Sequence, residues 1–165
     1  MAKMSNSEKG RFSRNKGKTF ERRVAIVLRE AFPEYAEIIR RSVQSREAEE
    51  SDVAGLPGCW VECQHAANPT PLKKLEQAEH DVMIAKLYGE ILPIAVTHKT
   101  RTKGVFVTLR MHHLDHIFGH HINDYRYCTP LAYDRNTPPV TISLEDFIVV
   151  AKEYIHASFN KRQGS

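Results

Sequence analysis

Apolar positions recur along this chain with two different periods, and the switches between them mark out its elements. Phe20, Val24, Val27, Leu28 and Ala31 share one face at helical spacing, which predicts a helix capped by Thr19 and stopped by Pro33. The polar, Ser- and Lys-rich residues 1–16 before it have no periodicity and read as an arm that is disordered until an anion binds. AEIIRRSVQS reads as a strand running into the polar stretch REAEES. DVAGLPGCWVECQHA reads as a β-hairpin: Asp52-Val53-Ala54, a turn at Gly55-Leu56-Pro57-Gly58, then Cys59 to Gln64. Pro69 and Pro71 open a second helix, with Thr70 as its cap, that runs to Gly89. ILPIAVTHK and GVFVTLRM are strands joined by the turn TRTKG. Beyond them, residues 112–139 read as a short helix and an irregular loop. A strand end and a final helix capped by Ser143 complete the chain.

That order, α-β-β-β-α-β-β, predicts an α/β sandwich with a mixed central sheet flanked by helices. At 165 residues the chain suits one domain with a real core. Its expected divisions are a basic arm (1–16), a core (17–115) and a C-terminal extension (116–165) packed on that core. No apolar run approaches the roughly 20 residues needed to span a bilayer, and the basic start has no apolar segment of a secretory signal. Three cysteines, Cys59, Cys63 and Cys128, cannot pair without a remainder, which favours a reducing, cytoplasmic setting.

Net charge is only +4, but its distribution is uneven. Lys3, Lys9, Arg11, Arg14, Lys16, Lys18, Arg22 and Arg23 stand against Glu8 and Glu21 alone. His98, Lys99, Arg101 and Lys103 cluster in one short connection, and Lys161 and Arg162 lie near the end. Clusters of this kind suit a polyanion, because each neutralised phosphate releases a condensed counterion.

The chemistry concentrates at Asp52 and Glu62-Cys63-Gln64. Side chains alternate along a strand, so Glu62 and Gln64 share a face while Val61 and Cys63 take the other. A tight hairpin folds Asp52 back beside Glu62, and two converging carboxylates suit a hard divalent cation such as Mg²⁺. The Cys63 carbonyl is expected to supply a third oxygen. A metal so held can activate a water and stabilise a leaving oxygen.

Asp, a short hairpin, then Glu-x-Lys is the signature of the PD-(D/E)XK nucleases, and this chain resembles it with Gln64 in the lysine position. GKTFERRVAIVLREAF resembles the first helix of the archaeal-type Holliday-junction resolvases, and LPIAVTHK and GVFVTL resemble the strands after their second helix. The likeness covers residues 17–110. It implies a restriction-endonuclease-like sandwich and a Mg²⁺-dependent DNA endonuclease in which Mn²⁺ can substitute. It also implies a homodimer, since symmetric nicks in a four-way junction need two related sites. No small-molecule cofactor is expected, and the setting would be a prokaryotic or phage-infected cytoplasm.

By the same resemblance Glu21 matches a glutamate of the site, Asp52 and Glu62 hold the metal with Cys63, and Gln64 replaces the lysine that serves the attacking water. Gln64 can hydrogen-bond but carries no charge, so a lysine migrated to a neighbouring element is expected: Lys73, Lys74 or Lys99. The expected DNA contacts are Lys16, Lys18, Arg22, Arg23, Arg41, Ser42, Ser45, Lys74, Gln77, Arg101 and Lys103. Two alternatives stay open: a restriction- or repair-type nuclease of the same fold, and a decayed nuclease that only binds DNA. His116 and His120 stand at i, i+4, but no second pair of ligands completes a zinc site at sequence level.

Overall fold

A computed structural model describes residues 6–43, 50–123, 134 and 136–164. Ser45 and Cys128 lie outside the described residues. The described residues form a mixed α/β structure: six strands in one open sheet, ordered β1-β2-β3-β4-β5-β6, and four α-helices. The elements follow as α1 (Asn6–Ala31), a 3-10 turn (Pro33–Tyr35), β1 (Arg40–Arg41), β2 (Val53–Ala54), β3 (Cys59–Ala66), α2 (Pro71–Ile84), β4 (Leu92–Lys99), β5 (Val105–Arg110), α3 (Met111–His121), β6 (Pro139–Ser143) and α4 (Leu144–Gln163). Only β3 and β4 pair in parallel, joined by α2 as crossover; the other neighbours are antiparallel. Among the described residues no helix is long and apolar enough to cross a membrane.

The pleat sorts the layers. Val61, Cys63, Leu92, Ile94, Val96, Val107 and Leu109 point to a main core completed by Phe20, Val24 and Leu28 of α1 and by Phe147, Ala151 and Ile155 of α4. Trp60 faces the other way, into a smaller cluster with Ala78 and Val82 of α2 and with Ile91. The sheet is therefore a filling between α1 and α4 on one side and α2 on the other. The C-terminal extension is part of this core: β6 completes the sheet, and the Tyr154 hydroxyl of α4 donates to the Gly58 carbonyl at 2.7 Å.

Several boundaries differ from expectation. The first helix begins at Asn6, not Thr19, so residues 6–16, expected to be disordered, continue it. Extending an existing helix adds one hydrogen bond per residue fixed, and the Lys and Arg residues of this stretch are good helix formers, so no apolar stripe is needed. Thr19 is no cap; its hydroxyl donates to the Asn15 carbonyl at 2.9 Å. Of the strand expected over 36–45, the described residues up to Val43 form Arg40–Arg41 alone, behind the 3-10 turn.

The second helix stops at Ile84, not Gly89. Lys86 takes the left-handed conformation (φ 57°), and Lys86 N and Leu87 N donate to Met83 O and Val82 O, each at 3.1 Å. These two bonds close the helix in the way a C-terminal glycine usually does.

Candidate active site

The site begins with the hairpin. Val53 lies opposite Val61, which puts Asp52 opposite Glu62. Two glycines permit the tight turn. Gly55 has φ 88°, and a Cβ there would lie 1.9 Å from the Ile38 carbonyl oxygen; Gly58 has φ 72° and lies against Ser158. Because β2 ends its pairing at Val53, the Cys63 N–H finds no strand there and donates to Asp52 Oδ2 at 2.8 Å. Asp52 is thereby fixed, 8% exposed, beside Glu62, which is 3% exposed.

The helix α2 supplies the countercharge. Its buried face is Leu75, Ala78, Glu79 and Val82, and Lys74 and Gln77 flank that face on the sheet side. Lys74 Nζ lies 2.8 Å from Glu62 Oε2 and 3.4 Å from Asp52 Oδ2, bridging the two carboxylates. Nζ also donates to Gln77 Oε1 at 3.2 Å, and Gln77 Nε2 donates to Glu62 Oε2 at 3.4 Å. From β3 the Trp60 indole donates to Glu62 Oε1 at 3.2 Å. Trp60 therefore serves both the small core and the site.

One ammonium cannot fully compensate two buried carboxylates. Burial first, and then the charge of Asp52, push Glu62 up to about 7, against the partial offset from Lys74. Burial pulls the Lys74 ammonium down, but Glu62 and Asp52 outweigh it and leave its pKa above the ordinary lysine value. Burial, then Asp52, Glu62 and Glu21, hold the Cys63 thiol well above its usual range, so it stays protonated.

The donor chemistry fits a hard divalent cation: two carboxylates at one point carrying negative charge in excess, with a cationic group already between them. Asp52 and Glu62 could hold it. Among the described residues no group of three or more His, Cys, Asp or Glu side chains is arranged as a metal site, so backbone or water oxygens would complete the shell.

Of the expected lysines, Lys74 stands at the carboxylates. Lys73, one position earlier, is exposed, and Lys99 is exposed at the end of β4. The signal was in the sequence: the stripe Leu75, Ala78, Val82 puts Lys74 at its border and Lys73 away from it.

Gln64 does not reach the carboxylates. Its Oε1 accepts from Thr70 N at 2.8 Å and its Nε2 donates to Thr70 Oγ1 at 3.3 Å, so it ties down the N-cap residue of α2, whose own side chain makes no capping bond. Glu21 is turned to β1, where it pairs with Arg41 at 2.7 Å on the α1 side of the sheet. Ser42 is buried, its N–H donating to Asp52 O at 3.0 Å and its hydroxyl to Ser51 O. Arg41 and Ser42 thus brace the site from within. Lys18, Arg22, Arg23, Arg101 and Lys103 are exposed, while Lys16 is half-buried against Thr100.

The histidine-rich segment builds something else. The rings of His116 and His120 lie 5.1 Å apart, and both pack edge-on to Tyr154, at 5.5 and 5.6 Å. They join α3 to α4. A cleft of about 530 Å³ beside them is lined by His120, His121, Asn123, Glu153, His156, Ala157 and Asn160.

Comparison with family models, with curated proteins and with solved structures returned no match.

Proposed function

We propose that this chain is a Mg²⁺-dependent DNA endonuclease of the restriction-endonuclease-like fold, hydrolysing phosphodiester bonds, with branched DNA such as a four-way junction as its substrate. One observation carries the reading: Asp52 and Glu62 converge across the β2–β3 hairpin on a single lysine from α2. Two under-compensated carboxylates and a cation at a sheet edge suit phosphoryl chemistry, where positioning and charge neutralisation do most of the work.

Asp52 and Glu62 would hold the cation, which supplies Lewis-acid polarisation of the phosphate and of the attacking water. Lys74 then turns its ammonium to the phosphate and stabilises charge there, in the role that the absent motif lysine would have had. Gln77 and Trp60 orient Lys74 and Glu62 through the bonds described above. A homodimer would supply the two cuts a four-way junction needs. Mn²⁺ would substitute for Mg²⁺, and a prokaryotic or phage-infected cytoplasm suits the basic, branched-DNA reading.

The test is nicking of four-way junctions, plain duplex and single strands with Mg²⁺. Asp52→Asn and Glu62→Gln should abolish cleavage while binding in EDTA persists, and Lys74→Ala should slow it on the order of 10²–10³-fold. Cleavage by either carboxylate variant at the wild-type rate would sink the assignment. A wild-type chain that binds junctions but never cuts them would favour the decayed, binding-only reading, and cutting confined to one duplex sequence the restriction-type one.

A further inference from the structure

Strands β3 and β4 end together, Ala66 beside Lys99, and α1 crosses above that end. Phe20 stacks on His98 with centroids 5.7 Å apart and tilts over His65 at 5.5 Å; the two imidazoles are 4.7 Å apart. His98 is the inner ring, 7% exposed, and its Nδ1 meets the Gly104 carbonyl at 2.9 Å. A carbonyl can only accept, so that nitrogen carries the proton and the ring is fixed. His65 is the outer ring, half-buried and held in place by the other two. One helical turn before Phe20, Lys16 donates its ammonium to the Thr100 hydroxyl; about one turn after it stands the exposed Arg23. Three elements thus converge on one spot: α1, the end of β3 and the turn after β4.

We infer that Lys16, Arg23, His65 and Thr100 form a subsite for a backbone phosphate of the DNA, separate from the carboxylate site. It rests on DNA as the partner in the reading above and not on cleavage.

The charge balance here is the reverse of that around Glu62. Lys16, Arg23 and His98 gather around the His65 ring, and burial and then these groups hold its pKa below the usual value. Like charges held together repel, and an external anion relieves the repulsion. The donors match a phosphodiester: an ammonium, a guanidinium, an imidazole N–H and a hydroxyl can share its two free oxygens. Arg101 adds a further exposed cation from a strained left-handed conformation, φ 66°, in the same turn. His65 follows Glu62 by three residues, so the alternation of β3 puts it on the opposite, α1 face of the sheet, and the subsite meets DNA independently of the carboxylates.

The experiment measures binding of the full chain to a fluorescent duplex and a four-way junction in EDTA, between 50 and 200 mM salt. Lys16→Gln and Arg23→Gln should each weaken binding several-fold and flatten the log-log salt slope by about 0.9. Lys152→Gln, an equal loss of charge on an exposed position of α4, should leave the slope unchanged. In NMR spectra the His65 ring resonances should move on adding DNA and stay still in the Lys16→Gln, Arg23→Gln double variant. Wild-type slopes in both single variants, or a His65 ring indifferent to DNA, would overturn the subsite. Should that happen while the wild-type chain still cuts DNA with Mg²⁺, the nuclease reading stands and only the subsite falls.

Discussion

Glu62 is buried against α2 and Glu79 is buried on it, and the protein treats them in opposite ways. Glu79, 1% exposed, receives the fork of Arg110, Nε to Oε1 at 2.7 Å and a second guanidinium nitrogen to Oε2 at 2.9 Å, and the same guanidinium donates to the Thr137 carbonyl at 3.1 Å. One charge meets one charge in bidentate geometry. Glu62 instead shares a single ammonium with Asp52, and its carboxyl is pushed up to about 7. Glu79 is given a bidentate partner, whereas Glu62 is left with charge still to be neutralised.

The contrast is broken most severely at Arg110. Arg110→Ala should destabilise the fold by about 3–5 kcal/mol in chemical denaturation, because it strands a buried carboxylate. Replacing both partners, Arg110→Met with Glu79→Leu, should recover most of that loss. A mild single variant would mean that Glu79 is not the closed structural pair it is taken for.

A smaller and opposite effect is expected at Glu62. Its folded pKa, about 7, lies above the ordinary 4.5, so between those values the folded state binds more protons than the unfolded one. Stability must then fall as pH rises through that window. The expected loss is on the order of 2–3 kcal/mol between pH 5 and 8 without divalent ions, and Glu62→Gln should flatten it. A wild-type curve already flat over this range would erase the difference between the two glutamates.

The smallest effect sharpens the boundary between site and scaffold. Gln64→Ala removes the acceptor at the start of α2 and should cost about 1 kcal/mol, with little change in the denaturant slope. Much greater damage to cleavage than to stability would return Gln64 to the site.

What the sequence could reveal follows from the range of each interaction. The alternation at Trp60-Val61-Glu62-Cys63-Gln64 is local, and the layers it implied are the observed ones. The hairpin was equally legible, since Gly55 and Gly58 mark its turn. Ser143 caps α4 as expected, its Oγ accepting from Asp146 N at 3.0 Å. The choice of Lys74 over Lys73 was legible in the apolar stripe of α2, whereas the bridge from Lys74 to both Asp52 and Glu62 depended on how α2 packs against β3. Arg110 and Glu79 are 31 positions apart, and no local pattern joins them. The extended α1 hid because its outer half has no apolar stripe for periodicity to detect.

Among the described residues, β2 holds to β3 through a single opposed pair, and β1 adds two residues outside it. Glu62, Lys74 and Gln77 belong instead to the tightly cross-packed β3–α2–β4 unit. Hydrogen exchange should register this as two tiers of protection, with β1 and β2 opening at lower free energy than the crossover unit beneath them. Asp52 then travels with the upper tier and Glu62 stays with the lower, so the carboxylate pair is assembled or taken apart by local unfolding of one edge while the rest of the protein remains native.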